Sequence, residues 1–138
     1  MLKIGILKQM RGNNFKDKEI GKKIKNLWCE ALKELELQDK TTLKENILYG
    51  IYTEYESNYK GDYIFFIGGD KIVSKEELII EEENYHIFPV ENSEENGVPL
   101  TWEKIWNLER NKKLKRAYTV DYEKYYPDGK IEIYISVK

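Results

Sequence analysis

The sequence predicts an α+β fold, in which duplicated strand-helix-strand-strand units form an antiparallel sheet with a central cleft and two outer helices. A hairpin at the end of the chain, an amphipathic helix near its start and a recurring order of elements indicate this fold. A chain of 138 residues buries about two thirds of its unfolded surface without disulfides or metals. We therefore expect one domain, residues 1–138, with pseudo-repeats at about 1–72 and 84–138.

The first unit begins with a strand and a long helix. Apolar residues alternate from Leu2 to Ile6, which is the period of a strand, before glycine and asparagine end the run. We then expect a helix at about residues 17–36, with Asn14 as its cap. Cys29 borders the apolar stripe, so we expect it to pack rather than to react. The stripe recurs every three or four positions and should pack on a sheet: Ile20, Ile24, Leu27, Trp28, Ala31, Leu32 and Leu35.

Two aromatic-rich strands follow at residues 47–56 and 62–72, and the turn residues between them predict a hairpin. Gly68 and Gly69 lie inside or at the end of the second strand. They lack the Lys-Ser/Thr pair and the following helix that a phosphate-binding loop requires. We interpret them as a bulge, or as a point where backbone segments approach closely.

The second unit repeats the order after a charged connector at residues 73–83, whose apolar residues 78–80 we expect to cover a sheet edge. A short strand at residues 84–91 contains a proline, which indicates an edge or a strand end. A helix follows at residues 99–111, and its apolar face carries Trp102, Ile105 and Trp106. Polar loops are predicted at residues 38–46 and 92–97.

The closing hairpin, residues 117–138, is the stretch around which the rest should be organised. Residues 127–129, Pro-Asp-Gly, supply a turn between two alternating segments. One aliphatic face should enter a core: Ile131, Ile133, Ile135 and Val137. We expect the opposite face, with Glu123 among tyrosines, to line a cleft, because a carboxylate framed by aromatic rings suits a cationic apolar ligand. The alternative is a half-exposed face of solvated carboxylates.

Composition excludes several classes of function. There are 23 basic and 25 acidic residues, for a net charge of −2, so we expect no direct DNA binding. His86 and the single cysteine cannot build imidazole-rich or thiolate metal sites, and we expect no cofactor. His86 stands in no recognisable catalytic motif, which favours a structural or surface role. The N-terminus lacks a signal-peptide pattern, no stretch approaches a membrane span, and a lone cysteine fits the cytoplasm, where we expect the protein.

The chain resembles the GyrI-like small-molecule-binding domains in four blocks that occur in the right order: ILYGIYTEYESNYKGDYIFFIGGDKI, YHIF, TWEKIWNLE and YTVDYEKYYPDGKIEIYISVK. These domains include the effector-binding domains of AraC- and MerR-type transcription regulators. The chain is most similar to the stand-alone, integron-associated effector-binding proteins. The resemblance implies a duplicated fold with a hydrophobic cleft, often for cationic, lipophilic compounds.

The resemblance also implies site residues. The family has a buried glutamate at the cleft floor in an aromatic-Glu-x-Tyr pattern, which here is residues 122–125 and makes Glu123 the predicted ligand carboxylate. Tyr134 matches an aromatic residue that often lines the pocket. The tryptophans fit helical stripes, so core packing and cleft lining both stay open for them. We include these further residues as candidate ligand contacts, with strand parity open for the first three: Tyr49, Tyr52, Phe65 and Trp106.

Three hypotheses of different class follow from these observations. The first is a module that binds a lipophilic cation without chemistry, and either sequesters it or presents the bound state to a partner. The second is a hydrolase of reactive drug-like compounds that uses Glu123 as a general base. The third is an inhibitor that contacts a large enzyme. No helix-turn-helix segment precedes the domain, so we do not expect direct control of transcription.

Overall fold

The computed structural model describes residues 2–38, 46–58, 60–81, 83–91 and 96–138. The loops predicted at 38–46 and 92–97 lie largely outside these residues. Neither described helix combines the length and hydropathy needed to cross a membrane. The described elements are, in chain order, β1 (Leu2–Gly12), α1 (Ile20–Gln38), β2 (Leu48–Thr53), β3 (Tyr63–Gly69), β4 (Glu77–Ile80), β5 (Tyr85–Pro89), α2 (Gly97–Arg110), β6 (Val120–Tyr125) and β7 (Ile131–Ser136).

All of these strands belong to one antiparallel sheet with the order β4-β1-β3-β2-β6-β7-β5. The first unit, β1-α1-β2-β3, and the second, β5-α2-β6-β7, meet where β2 pairs with β6. The predicted α+β fold with duplicated units is therefore confirmed, while the exact limits of the pseudo-repeats stay a prediction. The expected charged connector contains β4, which pairs with β1 and covers its outer edge.

Both helices cover the same face of the sheet. Ala31 of α1 and Ile105 of α2 are fully buried in one cluster with Phe65, Ile67 and Ile133 of the strands. The opposite face carries a second cluster built from strand residues, whose buried members are Ile4, Ile6, Tyr49, Ile51, Ile80 and Tyr122. The sheet thus separates two apolar layers, and aromatic residues belong to both.

The start of α1 differs from the prediction, because the helix begins only at Ile20. Asn13 Oδ1 accepts hydrogen bonds from the backbone N–H groups two and three residues later, at 2.9 and 2.8 Å. Such local side-chain bonds hold the preceding residues in turns rather than in a helix. Asn14, the predicted cap, instead accepts a hydrogen bond from the Tyr63 hydroxyl at 2.6 Å.

Cys29 is exposed on α1, so the packing role predicted for it is wrong. The buried positions of this helix are Ala31 and Leu35. A side chain two residues before Ala31 points about 200° around the helix from it, which places Cys29 toward solvent.

The register of the closing hairpin corrects the predicted faces. Glu123 pairs with Ile133, and Tyr122 pairs with Tyr134. Directly paired residues project to the same side of an antiparallel sheet. Glu123 therefore shares its face with the aliphatic residues of β7, and the expectation that it shares a face with Tyr134 was wrong. Residues 126–130 separate the last pair of the two strands, and this connection length sets the parity.

Gly5 of β1 lies where another backbone segment comes too close for a side chain. A Cβ at Gly5 would lie 2.0 Å from the carbonyl oxygen of Ile72. Gly5→Ala should therefore lower the free energy of unfolding by about 2 kcal/mol or more. Gly21→Ala is the control, because a Cβ there has no neighbour within 4 Å. It should raise the same quantity by about 0.5 kcal/mol through helix propensity. Urea unfolding measures both changes. If the two substitutions changed the free energy of unfolding in the same direction, the close backbone approach at Gly5 would be contradicted.

Candidate functional site

A cavity of about 460 Å³ opens between the two helices, on the sheet face that they cover. The helices therefore form its walls, and the cavity lies on the sheet face of the buried aliphatic residues of β7, whereas we expected the cleft on the opposite face of the closing hairpin. The apolar stripe of each helix is wide enough both to pack on the sheet and to reach the cavity. Aromatic residues are the largest group in the lining, which includes Ile24 and Trp28 from α1, Trp102 and Trp106 from α2, and Tyr52, Tyr63, Glu123 and Tyr125 from the strands.

Glu123 of β6 places a buried carboxylate in this lining, with only 2% of the residue exposed. Its Oε1 accepts a hydrogen bond from the Tyr125 hydroxyl at 2.7 Å. Its Oε2 accepts bonds from Trp102 Nε1 at 2.7 Å and from the Tyr52 hydroxyl at 3.0 Å. Gly50 pairs with Glu123 across the seam, and a Cβ there would lie 3.0 Å from Oε1. Glycine at this position leaves the space that the carboxylate occupies.

The charge of Glu123 has no cationic partner within the part of the chain that the structure describes. Burial raises its pKa above the ordinary value of 4.5, and the hydrogen bonds from Tyr125, Trp102 and Tyr52 partly offset that rise. Neutral donors alone thus stabilise the ionised form. A cation that entered the cavity would supply the missing charge.

Asp121, two residues earlier on the same strand face, is fully buried but charge-balanced. Its Oδ2 lies 2.8 Å from Arg116 Nη2 and accepts a hydrogen bond from the Tyr55 hydroxyl at 2.5 Å. Its Oδ1 accepts bonds from the backbone N–H and the hydroxyl of Ser136, at 2.7 and 3.0 Å. The two neighbouring carboxylates therefore differ in one respect, namely that the protein itself neutralises only Asp121.

The rings around Glu123 meet edge to face. Trp28 and Tyr125 have centroids 4.9 Å apart at 67°, and Tyr52 and Trp102 have centroids 5.2 Å apart at 70°. Aromatic pairs prefer such tilted arrangements, and the electron-rich faces of the rings attract cations. The aromatic lining and the unpaired carboxylate therefore favour the same kind of ligand.

The structure brings together only half of the six predicted contact residues. Glu123, Tyr52 and Trp106 line the cavity. Phe65 lies behind Tyr52 in the core, with ring centroids 4.8 Å apart. Tyr49 and Tyr134 belong to the cluster on the opposite face, and Tyr134 packs there as a partly buried residue. Ligand contact by any of the six stays a prediction.

Sequence reasoning did not select five other aromatic residues of the lining, which are Trp28, Tyr55, Tyr63, Trp102 and Tyr125. Tyr125 lies inside the aromatic-Glu-x-Tyr pattern, two residues after Glu123, and so must share its face. Tyr63 lies two residues before the candidate Phe65 on β3, so the alternation of the strand places both on one face. Helical spacing gave no such signal for the tryptophans, because the same stripe serves the core and the cavity.

Replacing each buried carboxylate by the corresponding amide should change the free energy of unfolding differently at the two positions. In Glu123→Gln the side-chain oxygen can still accept from Trp102, and its amide can donate to Tyr125. We expect no loss of unfolding free energy near neutral pH, because the change removes a buried charge without a counter-ion. Asp121→Asn leaves Arg116 poorly compensated and should cost about 3 kcal/mol. Urea unfolding compares the variants, and equal losses would contradict the difference in charge balance.

The raised pKa of Glu123 should also appear in the pH dependence of the free energy of unfolding. Because the folded-state pKa of Glu123 is raised, its contribution to stability is fully present below 4.5 and is lost as pH rises through the raised value. The wild type should therefore lose stability relative to Glu123→Gln over that interval, and the difference should then level off. Urea unfolding from about pH 4 to 8 tests this. A difference that is constant with pH would show that the pKa is not raised.

Comparisons with known proteins agree with this fold. A family model described as integron-associated effector binding protein matches residues 5–137. An integron cassette protein from the mobile metagenome of Vibrio cholerae has a similar structure, with a TM-score of 0.79 and 26% identity over 99% of this chain and 90% of that one. SAV2435, solved bound to tetraphenylphosphonium, shares the fold, with a TM-score of 0.69 and 16% identity over 99% and 87% of the chains. No curated protein sequence matches.

The family model spans nearly the whole chain, including both helices and the strand that carries Glu123. The resemblance inferred from the four sequence blocks is therefore confirmed, and the chain belongs to the family of integron-associated effector binding proteins.

Proposed function

We propose that the protein binds a lipophilic, cationic small molecule in the cavity between its helices, reversibly and without chemical turnover. One observation carries the proposal: Glu123 is a buried carboxylate that neutral donors hold and no described basic side chain pairs with. An uncompensated buried charge is costly, and a bound cation would offset that cost. The ligand's charge thereby gains a partner that the free protein lacks.

The dimensions and lining of the cavity support a ligand of drug size. Its volume of about 460 Å³ lies within the range of about 300–1,000 Å³ that is usual for small-molecule sites. Aromatic walls contribute contact area that does not depend on charge, and the carboxylate adds selectivity for cations. A hydrophilic cation would gain little from the walls, and a neutral hydrocarbon would gain little from Glu123.

The comparisons support the same class of ligand. The family is described as effector binding. SAV2435, which shares the fold, was solved with tetraphenylphosphonium, a monocation surrounded by four phenyl rings. For this chain we propose sequestration of such a compound, or presentation of the bound state to a protein partner, in the cytoplasm. The near balance of acidic and basic residues does not favour direct binding to DNA.

Several observations favour binding over hydrolysis, the alternative that the sequence raised. The carboxylate of Glu123 already accepts three hydrogen bonds from protein side chains. Burial raises the pKa of Tyr52 and Tyr125 well above 10, so neither hydroxyl ionises as a nucleophile near neutral pH. Incubation with lipophilic cations and electrophilic natural products, followed by mass spectrometry, should return the compounds unchanged. Product formation that Glu123→Gln abolishes would establish the hydrolase instead.

Glu123→Gln should weaken cation binding selectively. The probes are biphenylyl-trimethylammonium and its neutral isostere tert-butylbiphenyl, which differ in charge but hardly in shape. The variant should cost the cation on the order of 1–3 kcal/mol of binding free energy and the neutral compound much less, because only the charge is removed. Calorimetric or fluorescence titrations measure both affinities.

Glu103→Gln is the matched control for this experiment. Glu103 also lines the cavity, but it is exposed on α2, so solvent screens its charge. We expect it to change the affinity of the cation by less than about 0.5 kcal/mol. Equal losses for both probes in Glu123→Gln, or a larger loss in Glu103→Gln, would contradict the role proposed for Glu123.

Cation binding should release protons. The pKa of Glu123 is raised by burial in the empty protein and should fall when a cation lies beside it. Between those two values, binding expels a proton from the carboxylic acid, so affinity should rise with pH there and weaken in acid. Calorimetry of tetraphenylphosphonium binding in two buffers of different ionisation enthalpy measures the release. Glu123→Gln should abolish it, and an undiminished release in the variant would assign the proton to another group.

A further inference from the structure

The wall of the cavity has a gap at Gly21, in the first turn of α1. Gly21 lines the cavity and is itself exposed. The cavity-lining positions of this helix include Gly21, Ile24, Lys25 and Trp28, which have the three- and four-residue spacing of one helix face. A side chain at position 21 would therefore project from the face that lines the cavity. Among the described residues, a Cβ there would have no neighbour within 4 Å, so the space beside Gly21 is open.

The usual structural reasons for a glycine do not apply at this position. Gly129 is the one glycine of the described residues with a positive φ, so the backbone conformation at Gly21 suits any residue. No other backbone segment approaches Gly21, in contrast to Gly5. A glycine in a helix also lowers the stability of that helix relative to alanine. The remaining effect of the glycine is that it keeps the space beside the cavity free.

The gap lies at the exposed end of the cavity, away from the buried carboxylate. Glu123 is 2% exposed and accepts a hydrogen bond from Tyr125, whose ring lies 4.9 Å from that of Trp28. Trp28 follows Gly21 by seven residues, so about 10 Å of helix axis separates the two positions. A drug-sized ligand that pairs with Glu123 and fills the cavity therefore extends to the space beside Gly21.

We propose that Gly21 determines the size of the ligand that the cavity accepts, because one bulky group of the ligand occupies the open space beside the first turn of α1. The inference rests on the function proposed above and narrows it. The ligand is a cation with bulky groups on several sides of its charge, rather than a slim or flat one. Glu123 selects for charge at the buried end of the cavity, and Gly21 selects for bulk at the exposed end.

The test compares two phosphonium cations in titration calorimetry of the intact chain. Tetraphenylphosphonium and methyltriphenylphosphonium have the same charge and differ only in that a methyl group replaces one ring. The wild type should bind the tetraphenyl compound more tightly, because the fourth ring adds apolar contact. In Gly21→Leu the new side chain takes up the space of that ring, so the ratio of tetraphenyl to methyltriphenyl affinity should fall about tenfold or more. Gly21→Ala should lower the ratio less.

Three controls separate this effect from changes in surface, charge and folding. Asn26→Leu introduces the same side chain at an exposed, uncharged position of α1 outside the cavity lining, and it should leave the ratio unchanged. Glu123→Gln should weaken the binding of both cations alike, because their charges are equal. Urea unfolding should show that Gly21→Leu is at least as stable as the wild type, because leucine favours a helix more than glycine does.

The outcomes distinguish this inference from the function on which it rests. If neither cation binds to the wild type, the proposed function falls and the inference falls with it. If both bind but Gly21→Leu leaves their ratio unchanged, or the wild type already favours the methyltriphenyl compound, only the inference is overturned. An equal fall of the ratio in Asn26→Leu would overturn it too, because added apolar surface would then explain the effect. Unfolding of Gly21→Leu would also overturn it, since the space beside position 21 would not be open.

Discussion

The buried carboxylate of Glu123 is the constraint on which the arrangement of this site depends. Its three hydrogen-bond donors come from three elements, namely Tyr52 of β2, Trp102 of α2 and Tyr125 of β6. β2 and β6 are also the strands through which the two units join. The charge thus lies at the seam of the duplicated fold, and Trp102 links the helix of the second unit to that seam. The absence of a side chain at Gly50 completes the arrangement, because any Cβ there would crowd the carboxylate.

The contrast with Asp121 shows how one strand has both a charge-balanced carboxylate and the carboxylate of the proposed binding site. Asp121 and Glu123 are both buried on the same face. Arg116 and Ser136 of the second unit and Tyr55 of the first satisfy Asp121, so its contacts help to hold the two units together. Glu123 receives neutral donors only, so its buried charge lowers the stability of the free protein, and under the proposed function a bound cation would offset that loss. Ionisable residues whose pKa values are shifted by burial in a cavity are often functional residues.

Much of the fold could be predicted from sequence, and the error about the faces of the closing hairpin has one physical origin. Alternation and helical stripes identified the helices and most of the strands, and the Pro-Asp-Gly turn identified the hairpin. Those signals fix which residues of one strand share a face, but not which face of the next strand they join. That parity depends on the connection between Tyr125 and Ile131. The resemblance to a known family supplied Glu123, whereas the error in parity placed Tyr134 beside it. Arg116 had no signal at all, because it lies in the connection between α2 and β6, outside any alternating pattern.

The distribution of tyrosines shows why aromatic content alone did not define the cleft. The chain contains 11 tyrosines, more than one small core requires. Several of them instead cover the opposite face, where Tyr122 and Tyr134 stack with centroids 4.7 Å apart at 12° and Tyr85 packs edge-on against Tyr122. The Tyr85 hydroxyl donates to the Val120 carbonyl at 3.0 Å, so the ring fills the apolar layer while its polar end is satisfied. Tyrosine therefore serves the two faces for different reasons. Parity with Glu123, rather than the number of rings, decides which of the strand tyrosines line the cavity.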